Sequence, residues 1–249
     1  MVVAGPAASA LANPVRLSDQ PDGRPFDRAN NRPAGRTITV IAHAEVTDAE
    51  RGILPRPVSL APDVYLRVVD RVTLGVVHSH RALGLVDAGG GLCLSDCDER
   101  YRNPGIDVLY DIRRQLGARV RLVARELDPI ELQLHLGLDW HWQRGRLGVH
   151  AAPYLAFGLS NRDLGNDDFI NLPLWLTVRV GAGVSGVFHT GIAGQIDSFG
   201  DTYEIPVGLG VRYRRGPYLA GVQYAFARLF GRLNAILPRH LVVSFGWQR

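Results

Sequence analysis

The sequence predicts an all-β fold, an antiparallel up-and-down barrel of about twelve strands. Three observations predict it. Apolar and polar residues alternate along most segments from Arg36 onward, aromatic residues stand near the ends of the apolar rows, and short turns alternate with long polar connections. Alternation with a period of two indicates a strand, because successive side chains of a strand point to opposite faces. Aromatic ends on an aliphatic row further indicate that the barrel spans a membrane.

The segment 203–228 shows an aliphatic band between aromatic ends. From Tyr203 to Tyr213, apolar side chains alternate with glycine, proline or charged ones, and a tight turn at 214–217 follows. From Tyr218 to Phe226 the alternation resumes with shifted parity. Tyrosine near both ends of such a row suits a strand whose ends reach the lipid headgroups. A soluble sandwich hairpin with tyrosines at its core margin stays open as the alternative on this segment alone.

The segment 130–142 is the clearest strand. Its apolar residues occupy one face without interruption, whereas a helix would scatter them around its circumference. The opposite face carries carboxylates and histidines, which no dry core accepts unpaired. Its length suits a tilted membrane strand of roughly 9–11 residues better than a soluble strand of about 5–6. The apolar row consists of Ile130, Leu132, Leu134, Leu136, Leu138, Trp140 and Trp142.

The remaining segments extend the same pattern. Strands are predicted at 37–45, 64–69, 72–77, 106–113, 119–125, 147–159, 170–180, 184–192 and 240–248. Tight turns are predicted at 70–71, 115–118, 143–145, 181–183 and 214–217, while the other connections are longer and polar, with 127–129 the short exception. Short turns at one end and long loops at the other are typical of membrane barrels. A Greek-key sandwich would not alternate so regularly.

The first 35 residues are predicted to lie outside the barrel, which spans 36–249. Residues 1–12 end in Ala10-Leu11-Ala12 and indicate a secretory signal that lacks its basic beginning, or else an alanine-rich disordered start. Residues 13–35 contain too few apolar side chains to fold and are predicted to be a disordered lead-in. Cys93 and Cys97 predict a short disulfide made in an oxidising compartment.

The composition excludes some classes of protein. The net charge is +4 and the sequence pI about 9.4, yet no lysine occurs and the arginines are spread along the chain, so no nucleic-acid partner is indicated. The mean hydropathy is near zero, which fits a soluble protein and a membrane barrel equally, because lipid-facing and interior residues alternate. No apolar run approaches the roughly 18–20 residues of a membrane-spanning helix.

The segregated strands, the aromatic margins, the regular connections and the aromatic-rich last strand resemble a bacterial outer-membrane β-barrel protein of porin-like architecture. The resemblance covers Arg36 to Arg249, and no motif links the chain to one family within that class. Such proteins usually end on an aromatic residue, whereas here Gln248 and Arg249 follow Trp247. The resemblance implies the bacterial outer membrane as location, the lipid bilayer and the barrel-assembly machinery as partners, and both chain ends on the periplasmic side. The oligomeric state stays open.

Two groups of residues are candidate functional positions. The lumen-lining candidates are Arg119, Arg121, Arg125, Glu131, His135, Asp139, His141, Arg179, Glu204 and Arg212. The candidate lipid-interface aromatics are Trp140, Trp142, Tyr203, Tyr213, Tyr218, Tyr224, Phe245 and Trp247. Inward charges must be hydrated or paired. The sequence therefore predicts a narrow pore for small polar solutes or a plugged barrel with a structural, surface-displayed role.

Two other functions remain as alternatives, and no catalytic, cofactor or metal residues are predicted. An outer-membrane hydrolase resembling a lipase would need a serine and a histidine from different strands on one face, since in His78-Ser79-His80 the serine points away from both neighbours. A soluble secreted barrel or sandwich that binds a small ligand would cover the row 132–138. The acidic loops at 87–99 and 161–168 lack the spacing of a calcium motif.

Overall fold

The computed structural model describes residues 38–49, 58–78, 91–96, 100–113, 115–232 and 238–248, and the statements below concern these residues. The predicted signal 1–12, the lead-in 13–35 and Cys97 lie outside them. The signal, the lead-in and the disulfide of Cys93 with Cys97 therefore stay predictions. No helix in the described part of the chain is long and apolar enough to cross a membrane.

The described residues form fifteen strands with very little helix. The strands are β1 (Ile38–Ala49), β2 (Val58–Val69), β3 (Val72–Val77), β4 (Gly91–Ser95), β5 (Tyr101–Arg102), β6 (Gly105–Arg113), β7 (Leu116–Leu127), β8 (Ile130–Arg144), β9 (Leu147–Ala151), β10 (Tyr154–Gly158), β11 (Phe169–Gly181), β12 (Val184–Gln195), β13 (Glu204–Arg215), β14 (Tyr218–Gly231) and β15 (Pro238–Gln248). A 3₁₀ turn at Arg162–Leu164 and a four-residue helix α1 (Phe199–Thr202) lie in connections.

The strands form one antiparallel sheet that closes into a barrel, because β1 pairs with both β2 and β15. The strands fill twelve positions around the wall, since three positions are each shared by two short strands. The first position is shared by β3 and β4, which both pair with β2. The second is shared by β5, which pairs with β4, and β6, which pairs with β3. The third is shared by β9 and β10, which both pair with β8 and β11. The predicted antiparallel barrel of about twelve strands is confirmed.

Several segments differ from the sequence-based prediction. β4 and β5 lie between 77 and 106, where no strand was predicted, and β7 begins at Leu116, inside the predicted turn 115–118. The predicted strand 147–159 is divided into β9 and β10 at Ala152 and Pro153, because proline has no N–H to donate to the ladder. β2 begins at Val58, six residues before the predicted strand 64–69, and this added part pairs with β1 and β4. Pro62 in that segment argued against a strand, yet the barrel accommodates it opposite Ala42.

The two ends of the barrel differ in their connections. Four two-residue turns, at 70–71, 145–146, 182–183 and 216–217, lie at one end together with the connection from β6 to β7, Ile38 and Gln248. We call this the turn end. The longer connections lie at the opposite end, the loop end, with 128–129 as its short exception. Gly183 has φ +81, and a Cβ there would stand 2.1 Å from the Arg214 carbonyl oxygen, so this turn requires glycine.

The apolar rows face outward and the polar rows face inward. Leu136 and Leu138 on β8 are 43% and 46% exposed, so the chain does not cover the row that a soluble domain would bury. The inward positions of the neighbouring strand β7 are occupied by Arg119, Arg121 and Arg125, which are buried. This arrangement is the reverse of a soluble globular protein and is typical of a barrel surrounded by lipid.

Candidate functional site: the barrel interior

A carboxylate shared by two arginines lies on the wall formed by β6 and β7. Asp107 is directly opposite Arg121 in the strand register, and its Oδ2 accepts a hydrogen bond of 2.6 Å from the Arg121 Nη2. Arg119, two residues earlier on the same face, places its Nε 3.4 Å from the Asp107 Oδ1. All three side chains are buried. Alternation along this part of both strands therefore brings the two predicted arginines into contact with an inward carboxylate.

Two further ion pairs lie nearer the loop end. The Arg125 Nη1 is 3.4 Å from the Glu131 Oε2 across the β7–β8 hairpin. The Arg228 Nε is 2.8 Å from the Glu204 Oε1 between β14 and β13. Glu204 was predicted to face the interior, but Arg228 was not, because alternation from Tyr218 places Arg228 on the outer face. The register between β13 and β14 shifts beyond Val207, and both Ala227 and Arg228 are buried.

An aromatic stack runs across β9, β11 and β12. Trp175 lies between His150 and His189, with ring centroids 4.8 and 5.2 Å apart and interplanar angles of 19° and 16°. The His150 Nε2 is also 3.2 Å from the Asp139 Oδ2 on β8. Register places these residues side by side, since His150 and His189 are both strand partners of Trp175. The stack was not predicted, because an isolated tryptophan in 170–180 gives no sign of its cross-strand partners.

His135 belongs to a second stack on the adjacent wall. Its ring lies 5.0 Å from that of Tyr154, with an interplanar angle of 12°. The Tyr154 hydroxyl oxygen accepts a 3.0 Å hydrogen bond from the Asn171 side chain. His135 also lies 3.2 Å from the Gln133 Oε1. The polar groups of this wall therefore bond to one another, as buried polar groups must.

A serine–histidine pair lies where the barrel closes. The His43 Nδ1 on β1 is 2.8 Å from the Ser244 Oγ on β15, and the His43 Nε2 is 3.9 Å from the Asp63 Oδ2 on β2. This is the pairing that the hydrolase alternative requires. However, His43 and Ser244 are only 2% and 5% exposed, which leaves no room for a scissile bond beside the hydroxyl.

A second histidine cluster lies next to this pair, towards the loop end. The His240 Nδ1 is 2.7 Å from the Glu45 Oε1 and 3.1 Å from the Thr47 Oγ1. Glu45 and Thr47 both lie on β1, and all three side chains are buried. The seam between β1 and β15 is therefore closed by side-chain contacts as well as by the backbone ladder.

Side chains occupy most of the interior. Even small inward residues on the wall, Thr39, Ser59, Thr73, Thr177 and Ser185, are at most 4% exposed. A short side chain on the wall of a wide, water-filled tube would be accessible to solvent, so longer neighbours must cover these residues.

The structure places most of the predicted lumen residues on the inner face. Arg119, Arg121, Arg125, Glu131, His135, Asp139, Glu204 and Arg212 are buried. His141 is half-buried, whereas Arg179 is exposed at the turn end. Whether these residues contact a solute stays a prediction.

The predicted interface aromatics lie mainly at one end. Trp140, Trp142, Tyr213, Tyr218, Phe245 and Trp247 face outward near the turn end. Tyr224 faces outward opposite Leu241, farther along its strand, and Tyr203 lies at the loop end beside Phe199, with ring centroids 6.3 Å apart. Tyr110 on β6 was not predicted but joins the turn-end group, and it is exposed.

The second acidic loop, 159–168, is held by internal contacts. Asp168 accepts hydrogen bonds of 2.8 and 3.0 Å from Arg162 and one of 3.0 Å from the Gly158 N–H. The Asn166 amide donates to the carbonyl oxygens of Leu132 and Ser160 at 2.8 and 2.6 Å. Within the described residues, no group of histidine, cysteine and carboxylate side chains is arranged to hold a metal ion.

We expect the contact between Arg162 and Asp168, which stabilises this loop, to depend on pH. The hydrogen bond from Arg162 lowers the pKa of Asp168, so the contact stabilises the loop above the carboxyl's unfolded pKa and is lost as the pH falls through the folded pKa. Because Arg162 is 52% exposed, solvent screens the pair and its contribution to stability should be small. Asp168→Asn should reduce the hydrogen-exchange protection of the Gly158 amide at neutral pH.

Amide exchange, corrected for the intrinsic rate, would measure this effect. The difference between wild type and Asp168→Asn should shrink as the pH falls through the lowered pKa of Asp168, because the carboxyl of the wild type then also becomes neutral. A protection factor that is the same in both proteins at neutral pH would contradict the expectation.

Comparison with solved structures places this architecture among outer-membrane channels. An outer membrane channel from Pseudomonas putida F1 matches with 16% identity and a TM-score of 0.55, covering 90% of this chain and 99% of the channel. The NanC porin matches with 7% identity and a TM-score of 0.55, covering 83% of this chain and 98% of the porin. The KdgM porin in complex with disordered oligogalacturonate matches with 8% identity and a TM-score of 0.53, covering 84% and 98%.

No family model and no curated protein matches the chain. At these identities the likeness concerns the fold, and the chain has the fold of an outer-membrane β-barrel channel. The resemblance noted in the sequence is confirmed at that level.

Proposed function

We propose that the protein is a narrow channel for small polar solutes in a bacterial outer membrane. The observation that carries this proposal is the reversed distribution of side chains in a closed barrel. Charged and hydrogen-bonding groups face the interior, while exposed leucine and valine face outward. Lipid would cover the outer rows, and polar solutes would exchange hydrogen bonds with the inner ones. The turn end would face the periplasm, together with the first residue of β1 and the last residue of β15.

The interior ion pairs support a narrow path. Asp107 with Arg121 and Glu204 with Arg228 each join neighbouring strands, and a hydrogen-bond contact joins Glu45 to His240 in the same way. Such pairs lie along the wall, where they neutralise one another and brace the sheet. Buried charges at fixed positions select solutes by size and polarity, because each solute must replace hydrogen bonds that the wall already makes.

We expect small, discrete current steps when the purified protein is reconstituted in a planar bilayer. Trp175→Ala should enlarge the steps, because it removes a large inward side chain, whereas Trp140→Ala should leave them unchanged, because Trp140 faces outward. Each protein should first be checked on an SDS gel, cold against boiled. A closed barrel has no open strand edge and shifts in mobility only on heating.

The outcomes separate the channel from its alternatives. A heat-shifting barrel that shows no current in either the wild type or Trp175→Ala would overturn the channel and leave a structural or surface-displayed barrel. A protein that never shifts and stays in the soluble fraction would overturn the membrane placement. The hydrolase is less well supported, because the buried Ser244–His43 pair described above has no access for substrate.

A further inference from the structure

Exposed arginines surround the turn end of the barrel. They occupy or directly flank four of the five short connections at this end, and in the sequence of those connections Asp70 is the only acidic residue. None of the arginines has an ion pair with a described residue. We call this group the arginine belt, and it consists of Arg71, Arg113, Arg144, Arg146 and Arg215.

Strand geometry places the arginine belt just beyond the outward aromatics. Arg144 follows Trp142 by two residues on the same face of β8, and Arg215 follows Tyr213 in the same way on β13. Two residues of strand span about 6–7 Å. Aromatic residues settle where acyl chains meet headgroups, so the guanidinium groups lie at the depth of the lipid phosphates.

No such belt is present among the described residues of the loop end. Its described connections contain more acids than bases, namely Asp96, Asp128, Asp163, Asp167, Asp168, Asp197 and Asp201 against Arg100, Arg162 and Arg232. The excess of positive charge is therefore confined to the end that carries most of the outward aromatics. A general need for solubility would not distribute charge in this way.

We propose that the arginine belt binds the phosphate groups of anionic phospholipids in the leaflet around the turn end. The guanidinium group donates two parallel hydrogen bonds to phosphate and stays charged at any physiological pH. Several basic groups near a membrane surface each add attraction to anionic lipid. This inference rests on the membrane placement in the proposed function and adds a lipid-binding surface to it.

Intrinsic tryptophan fluorescence tests the proposal, because the tryptophans are well placed. Trp140, Trp142 and Trp247 face outward near the turn end, and Trp175 is buried inside the barrel. The full-length protein is reconstituted in phosphatidylcholine vesicles that contain increasing fractions of acyl-chain-brominated phosphatidylglycerol or brominated phosphatidylcholine. Quenching then reports the lipid next to the turn-end tryptophans, and heat-shifted gel mobility confirms that each variant is folded.

We expect brominated phosphatidylglycerol to associate about two- to fivefold more strongly than phosphatidylcholine at low salt, and the preference to weaken as salt rises. The double variant Arg144→Gln/Arg215→Gln should lose most of the preference. The matched variant Arg100→Gln/Arg232→Gln, which removes two exposed arginines at the loop end, should keep it.

Three results would overturn the lipid assignment. Equal quenching by both lipids in a folded, inserted wild type would remove the belt proposal and leave the channel intact. Loss of the preference on adding inorganic phosphate, but not chloride of equal ionic strength, would assign the belt to free phosphate. Absence of quenching by either lipid would show that the barrel is not in the bilayer, and would overturn both proposals.

Discussion

Replacing Arg228 with methionine should lower the free energy of unfolding by about 3–5 kcal/mol, because it leaves the Glu204 carboxylate buried without its partner. The two groups are 2.8 Å apart, and both side chains are only 2% exposed. Neither charge has solvent to replace the lost interaction. The effect should be measured by reversible urea unfolding of the reconstituted protein, with the heat-shifted gel mobility as a second readout.

Two control variants make this prediction specific. Glu204→Met combined with Arg228→Met should recover most of the lost stability, because a buried ion pair replaced by apolar groups is often neutral in its effect. Arg162→Met, which breaks an exposed and solvent-screened pair with Asp168, should have a much smaller effect on the free energy of unfolding. If Arg228→Met and the double variant were equally unstable, the loss would come from the volume of Arg228 and not from the unpaired carboxylate.

Arg228 also shows where reasoning from sequence reaches its limit. Arg119 and Arg121 were both placed inward correctly, since β7 keeps its register with β6 and β8 on either side of them. Arg228 was not, because the register shift between β13 and β14 changes the parity of the residues beyond it. A bulge cannot be recognised from the alternation of one strand alone, because it is defined by the register with the partner strand.

The side-chain contacts between β1 and β15 could not be predicted from the sequence for a different reason. His43 and Ser244 lie 201 positions apart in the chain, and they meet only because β1 and β15 close the sheet in one particular register. The pattern along each strand predicts which face a residue occupies. It does not predict which residue of the neighbouring strand lies opposite. The contacts inside the barrel depend on this register between strands.

The outer surface was easier to predict, because it depends on face alone. The exposed rows of β7 and β8, with Val120 beside Leu136, follow from period-two alternation and need no knowledge of the partner. The same holds for Trp140 and Tyr213 at the turn end. Lipid is a uniform solvent for these side chains, so their role is set by depth and by hydrophobicity.

Leu136→Arg tests whether lipid surrounds the outer face of the barrel. We expect it to lower the free energy of unfolding from a bilayer by about 2–4 kcal/mol, the second largest effect predicted. Leu136 is 43% exposed near the middle of β8, where an arginine would have to enter hydrocarbon or distort the bilayer around it. Leu164→Arg is the matched control, since Leu164 is 50% exposed in the 3₁₀ turn at the loop end and water can solvate the new charge. If the outer face met water, both substitutions would have the same small effect, because exposed leucines gain little from either environment. A large difference between them can arise only if the middle of the outer wall is surrounded by an apolar medium.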